Sequence, residues 1–216
     1  MCRCIMPAPP APEPAPDLPR RLSAIAILFV AAGSLRLTFD HYASVPAVAD
    51  PWLRLWFLAG YLTILTTLLV ALAMTAVALK WRMPGWIAAS LAVSEIMVGS
   101  IYHLLLARAL APEGLHWWAT QGMHSALPVM MVLWWAAFAR KDIKPAQAPL
   151  FVAWPVAYTV YALARGVLSG FWPYPFLDVD ALGWGRVLGN LVIIGAVFTG
   201  VGAGLAVLAG RFRRGG

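Results

Sequence analysis

Five polar residues of this chain could take part in chemistry. Thr63 carries a hydroxyl, and His124 carries an imidazole that can exchange a proton near neutral pH. His103, Glu95 and Arg165 are further groups able to transfer protons or stabilise charge. All five are embedded in apolar sequence, where each polar side chain needs a structural or functional reason.

Each of these residues also has a purely structural interpretation. A threonine in an apolar helix most often bonds its own i−4 carbonyl, as Thr63 alone would be expected to do. An isolated histidine often serves only packing or hydrogen bonding. Glu95 would be protonated or hydrogen-bonded, or would belong to a proton path. Arg165 is expected to extend its side chain to the membrane surface.

The composition indicates a membrane protein. Apolar residues make up 62% of the 216 residues and charged residues 12%, whereas soluble domains carry about 25% charged residues. The mean hydropathy is +0.77. The net charge of +7 does not indicate nucleic acid binding, because the basic residues fall in short clusters at the ends of apolar runs. We therefore predict an all-α integral membrane protein.

Six apolar runs divide the chain into a tail, a helical body and a second tail. Residues 1–20 hold seven of the seventeen prolines and are predicted to be a flexible tail, which also carries both cysteines, Cys2 and Cys4. Residues 21–210 are predicted to form a six-helix transmembrane bundle, and 211–216 a basic tail. A membrane-spanning helix needs about 20 apolar residues. The predicted spans cover residues 22–38, 55–79, 84–109, 115–139, 148–170 and 183–208.

Charge distribution predicts the orientation of this bundle. Eleven lysine and arginine residues lie on the side of the termini and five on the other side. This asymmetry places both termini in the cytoplasm. We expect a bacterial inner (plasma) membrane protein. GxxxG spacing predicts close helix packing at three pairs, Gly166–Gly170, Gly185–Gly189 and Gly200–Gly204.

Helix geometry places three polar residues in one layer. At 1.5 Å per residue, Thr63, His124 and His103 lie ~12, ~13 and ~9 Å from the outer ends of the second, fourth and third spans. Glu95 and His103 share a helix face, because they are two steps of four residues apart. The residues four and eight positions before His124 share a face with it in the same way. Pro128 is predicted to kink the helix after His124. These spacings predict an outward-facing polar cavity between the second, third and fourth spans.

Three motifs add a family resemblance: YLTILT at 61–66, GMHSALP at 122–128 and WPYPFLD at 172–178. In this order on a six-span chain they resemble the androgen-induced and androgen-dependent multipass membrane proteins and their bacterial relatives. The resemblance implies a threonine hydrolase of fatty acid esters of hydroxy fatty acids. It places the reactive threonine at Thr63 and its histidine at His124. Gln121 stands where the eukaryotic members have a further histidine, which leaves the substrate class open.

The implied reaction is hydrolysis of a lipid ester through an acyl-threonine, with no cofactor and no metal. An orienting group for His124 is expected. His103 and Asp178 are the candidates, and Glu95 and Arg165 are further supporting groups. We expect the lipid or fatty-acyl ester to enter from the bilayer and water from the outer face. The predicted lining residues are Tyr61, Thr67, Thr120, Gln121 and Trp117.

Three other functions remain open at this point. His103 and His124 could ligate a haem axially in an electron-transfer protein. Glu95 and His103 could serve a proton-coupled transporter, although no internal repeat is visible. A non-catalytic membrane scaffold is the third alternative. The oligomeric state is not indicated by the sequence.

Overall fold

The computed structural model describes residues 17–108, 110–141, 143, 147 and 150–214. This part of the chain is almost entirely helical and contains no strand. Within it eight α-helices follow one another, with short 3-10 turns at Tyr42–Ser44, Pro46–Val48 and Pro175–Leu177. The helices are α1 (Asp17–His41), α2 (Pro51–Leu58), α3 (Leu62–Ala78), α4 (Gly85–Ile101), α5 (Gly114–Gln121), α6 (Leu127–Phe138), α7 (Leu150–Ser169) and α8 (Val179–Arg214).

Two π-helical turns extend or join these helices. The first, Tyr102–Leu106, continues α4. The second, Gly122–Ala126, joins α5 to α6. Each inserts one additional residue per turn and so rotates the side chains that follow it, and such turns occur frequently at functional sites. Pro128, at which the sequence predicted a kink, lies in the first turn of α6, two residues after the second π-turn.

Several helices have the length and the apolar composition of membrane spans. Four are long and apolar enough to cross a membrane: α1 with the turn after it, α4 with its π-turn, α7 and α8. The bent pair α2 and α3 counts as a fifth if it is one span. Residues 114–138 form one helical rod through the second π-turn but are not among these candidates, because polar residues such as Gln121 and His124 lower their hydropathy. The chain is thus an all-α membrane protein.

The second predicted span, 55–79, is not one continuous helix. It is broken after Leu58, and α2 and α3 meet at 95°. Asp50 caps the start of α2 by accepting hydrogen bonds from the N–H groups of Trp52 and Leu53. α2 is therefore a separate short helix rather than a continuation of α3.

Both predicted tails overlap with helix. The described part of α1 starts at Asp17, and Pro19 in this first turn costs no intrahelical hydrogen bond. α8 continues to Arg214, into the predicted basic tail. Cys2 and Cys4 lie outside the described residues.

The core surrounds α4. This helix packs on α3, α6, α7 and α8, while α1 packs on α3, α5 and α6. In the most apolar stretch of the α4 span, 56% of the residues are buried. In the corresponding stretch of α8, 17% are buried. The largest fully buried side chains include Trp135, Phe151, Ile27, Met74 and Leu127.

Close contacts form at one glycine of the predicted pairs, Gly166, and at Gly99, which belongs to none of them. A Cβ on Gly99 of α4 would lie 2.9 Å from the carbonyl oxygen of His124, and one on Gly166 would lie within van der Waals overlap of Trp172. The GxxxG prediction is wrong for α8, because a Cβ on four of its glycines meets no described atom within 4 Å: Gly185, Gly189, Gly200 and Gly204.

Candidate active site

Thr63 lies in the first turn of α3, directly after the break between α2 and α3. We call residues 59–61 the elbow. Because the chain turns here, Thr63 is the second residue of a helix instead of lying deep within a continuous span. The first N–H groups of a helix have no intrahelical acceptor, and the helix dipole gives this end partial positive charge. Thr63 therefore lies where a developing negative charge is stabilised.

Side chains from α7 hold the elbow in place. The hydroxyl of Tyr158 donates to the carbonyl of Gly60 at 2.8 Å, and the hydroxyl of Tyr161 donates to the carbonyl of Ala59 at 3.0 Å. Arg165 donates to the Tyr161 oxygen at 3.0 Å. These bonds satisfy the carbonyls that the broken helix leaves free.

Arg165 does not extend to the membrane surface as the sequence predicted. Its side chain is buried, and its guanidinium lies 4.1 Å from the ring centroid of Trp56 and 4.8 Å from that of Phe171. No salt bridge to Arg165 occurs among the described residues. Cation–π contact with two rings replaces an ionic partner and connects α2 and α7 to the segment before α8.

The structure brings Thr63 and His124 together. Oγ1 of Thr63 lies 3.3 Å from Nε2 of His124, and Nδ1 of His124 lies 2.9 Å from the carbonyl oxygen of Thr120. A carbonyl only accepts, so Nδ1 carries the proton and Nε2 is free to accept the proton of Thr63. This is the tautomer that a general base needs.

The second π-turn determines where the His124 ring points. His124 is the central residue of this turn, and its ring stacks on Tyr102 with centroids 4.1 Å apart and planes at 26°. Tyr102 is itself buried and begins the first π-turn. Two adjacent π-turns therefore supply the imidazole and the ring that holds it.

Thr63 and His124 lie at the junction of two cavities. The inner chamber, of about 200 Å³, lies between α4, α7 and α8, and the vestibule has about 610 Å³. Thr63, His124 and Tyr174 line both. The chamber is mainly apolar, with residues such as Val98, Ile101, Val156, Ile194 and Phe198. The vestibule carries the more polar side chains His41, Tyr42, Tyr61, Glu113, His116 and Thr120.

Tyr174 is a site residue that the sequence did not single out, although it belongs to the third motif. It precedes the 3-10 turn before α8, and its ring stacks on Phe176 with centroids 5.1 Å apart. Its side chain lines both cavities together with Thr63 and His124. Burial raises the pKa of Tyr174 above its ordinary value of 10.0, so the phenol keeps its proton.

The two predicted orienting groups lie elsewhere. Nε2 of His103 lies 3.0 Å from the hydroxyl of Ser125, which donates to Gln121. Asp178 accepts a hydrogen bond from the N–H of Ala181 in the first turn of α8. The carbonyl of Thr120 occupies the orienting position at His124 instead, because the π-turn brings that ring back over the preceding turn.

The remaining predicted residues divide between the site and the core. Tyr61 and Thr120 line the vestibule. Thr67 and Glu95 are fully buried in the core, and among the described residues their side-chain oxygens have no hydrogen-bond partner. Three predicted lining residues are outside the two cavities as the described residues define them: Thr67, Gln121 and Trp117.

The described ranges contain no group of three or more His, Cys, Asp or Glu placed to hold a metal ion. Both ring nitrogens of His124 already have hydrogen-bond partners. Axial ligation of a haem would require breaking one of these bonds.

Comparison with known proteins gives no relative: no family model, no curated protein and no solved structure matches the chain.

Proposed function

We propose that this protein is an intramembrane hydrolase of fatty-acyl ester lipids, with Thr63 as the nucleophile and His124 as the base. The observation that carries this proposal is the chain of hydrogen bonds from the Thr63 hydroxyl through His124 to the Thr120 carbonyl. It has the order of nucleophile, base and orienting group that defines hydrolytic triads, with a backbone carbonyl as third member. The family resemblance of the three motifs supports the same assignment.

The reaction follows from this geometry. Nε2 of His124 takes the Thr63 proton while Oγ1 bonds to the ester carbonyl carbon. The bond from that carbon to the alcohol oxygen then breaks, and the leaving alcohol takes the proton back from His124. Water enters, gives a proton to His124 and attacks the carbonyl carbon of the acyl-threonine. The bond from that carbon to Oγ1 breaks, His124 returns the proton to Oγ1, and the fatty acid leaves. The steps consume one ester and one water and need no cofactor.

Tyr174 and the first turn of α3 stabilise the oxyanion in this proposal. The Tyr174 phenol keeps its proton and lines both cavities beside Thr63, so that in this proposal its O–H donates to the oxyanion. A preorganised donor of this kind contributes strongly to catalysis in a site shielded from water.

The topology that we propose has six spans, with residues 115–139 as the fourth and α2 and α3 together as the second. The distribution of eleven against five basic residues supports cytoplasmic termini and a vestibule open to the outer face of a bacterial inner membrane. Water would then reach Thr63 through the vestibule, and the lipid would come from the bilayer.

The alternatives of haem protein, proton-coupled transporter and scaffold have no specific support in the site. The ring of His124 is engaged on both nitrogens, and Glu95 lines neither cavity.

The decisive experiment is detection of the covalent intermediate. The purified protein in detergent is mixed with p-nitrophenyl decanoate, quenched in acid and digested, and peptides are analysed by mass spectrometry. We expect a decanoyl group on Thr63. Turnover of the ester with acylation of another residue, or no turnover at all, would remove the proposal.

A further inference from the structure

The inner chamber has polar groups at one end and hydrocarbon along the rest of its length. Thr63, His124 and Tyr174 lie at the outer end, next to Leu177. The hydroxyl of Thr159, which also lines the chamber, donates to the carbonyl of Pro155 in its own helix. A chamber with this lining binds an apolar chain whose one polar end meets Thr63.

The chamber has a measurable depth. Its α8 lining runs from Leu191 to Phe198, which is ~10 Å along a helix, and its α7 lining runs from Val152 to Val160, which is ~12 Å. Phe198, the last of these α8 residues, is buried. An extended chain advances ~1.2 Å per bond, so the chamber holds ~8–10 bonds of it.

One side of the chamber opens toward the lipid. Val156 and Val160 line it and are 57% and 63% exposed. Gly195 faces them from α8, where a Cβ would meet no described atom within 4 Å. α7 and α8 therefore leave an apolar gap between them, and this gap opens into the chamber.

We propose that the inner chamber is the binding site for a medium-length acyl chain of ~8–10 carbons, which enters from the bilayer through the gap between α7 and α8. The identification of the chain as the acyl half of an ester rests on the proposed function. The vestibule, with its polar lining, takes the alcohol half and water. Longer chains extend through the gap into the membrane.

Gly195→Leu tests the chamber with little risk to folding, because leucine favours the helix more than glycine and the position has free space. The matched control is Gly200→Leu, on the same helix with equally free space but outside the chamber lining. We expect Gly195→Leu to lower kcat/KM for a decanoyl ester by at least ~10-fold relative to an acetyl ester, as steric exclusion from an apolar pocket does. Gly200→Leu should preserve the ratio. An unchanged ratio in Gly195→Leu overturns the assignment.

A second measurement does not depend on catalysis. A decanoic acid carrying a terminal diazirine is photolysed with the Thr63→Ala protein in nanodiscs, and labelled peptides are mapped. We expect labels within residues 152–160 and 191–198, lost when Gly195→Leu is added and kept with Gly200→Leu. Labelling elsewhere overturns the chamber. If these positions are labelled but the wild-type protein has no esterase activity, the chamber is supported and only the hydrolase proposal is removed.

Discussion

The hydroxyl of Thr63 and Nε2 of His124 lie 3.3 Å apart, although 61 residues separate them in the chain. Two local distortions produce this relationship. The elbow places Thr63 at the start of α3, and a π-turn rotates His124 toward it. Neither distortion is a low-energy choice for an isolated helix, so tertiary contacts must stabilise both.

Thr63→Ala is expected to abolish labelling by a fluorophosphonate probe, because the probe reacts with the activated hydroxyl. Ester hydrolysis should fall by ~10³-fold or more, as loss of a nucleophile does in other hydrolases. The matched control is Thr75→Ala on the same helix, whose hydroxyl bonds only the carbonyl of Ala71. Labelling that survives in Thr63→Ala would contradict the nucleophile assignment.

His124→Gln should lower kcat by ~10³-fold or more, since glutamine keeps a polar side chain but cannot accept the Thr63 proton. His103→Gln is the comparison, because His103 is exposed and bonds Ser125 rather than Thr63. It should retain activity within a few-fold of wild type. Equal losses in the two variants would mean that His103 also takes part in the reaction. Single-turnover kinetics with p-nitrophenyl decanoate provide the measurement.

Gly60→Ala should reduce activity without unfolding the protein. A Cβ at this position would lie 2.5 Å from Cε1 of Phe171 and 3.0 Å from the carbonyl oxygen of Phe57, so Phe171 or the elbow must shift. A displacement of ~1 Å at a nucleophile costs up to ~10²-fold in rate. Gly33→Ala, with free space around it, serves as the control. Full activity of Gly60→Ala, at unchanged thermal stability, would show that the elbow does not need its close packing.

Tyr174→Phe should lower kcat by ~10²-fold and leave KM nearly unchanged, because the phenol acts on the oxyanion and not on the bound ester. Asp180→Ala provides the control, since it removes a hydrogen bond to Trp172 in the same segment without reaching either cavity. Replacement of Tyr174 by fluorotyrosine tests the role of the phenol O–H more directly. A more acidic phenol donates more strongly, so kcat should change with phenol pKa, and a flat response would assign Tyr174 a structural role only.

Arg165 shows why part of the site was hidden from the sequence. An arginine near the outer end of an apolar run is ordinarily expected to reach the membrane surface. Here Trp56 and Phe171, from two distant segments, enclose it, and Tyr161 connects it to the elbow. Such an environment depends on which helices pack together, and no local pattern encodes it.

The sequence by itself determined the apolar helical character of the chain and the pairing of Thr63 with His124 as candidates. The first follows from hydropathy, and the second from residue type, helical spacing and the resemblance of the motifs. Tertiary structure alone decided that the span 55–79 breaks, that the Thr120 carbonyl lies beside His124 where Asp178 or His103 was expected, and that Tyr174 lines both cavities beside Thr63. These features depend on carbonyls satisfied by α7 and on π-turns packed against each other. They arise from contacts between residues far apart in the chain, which periodicity along one helix does not contain.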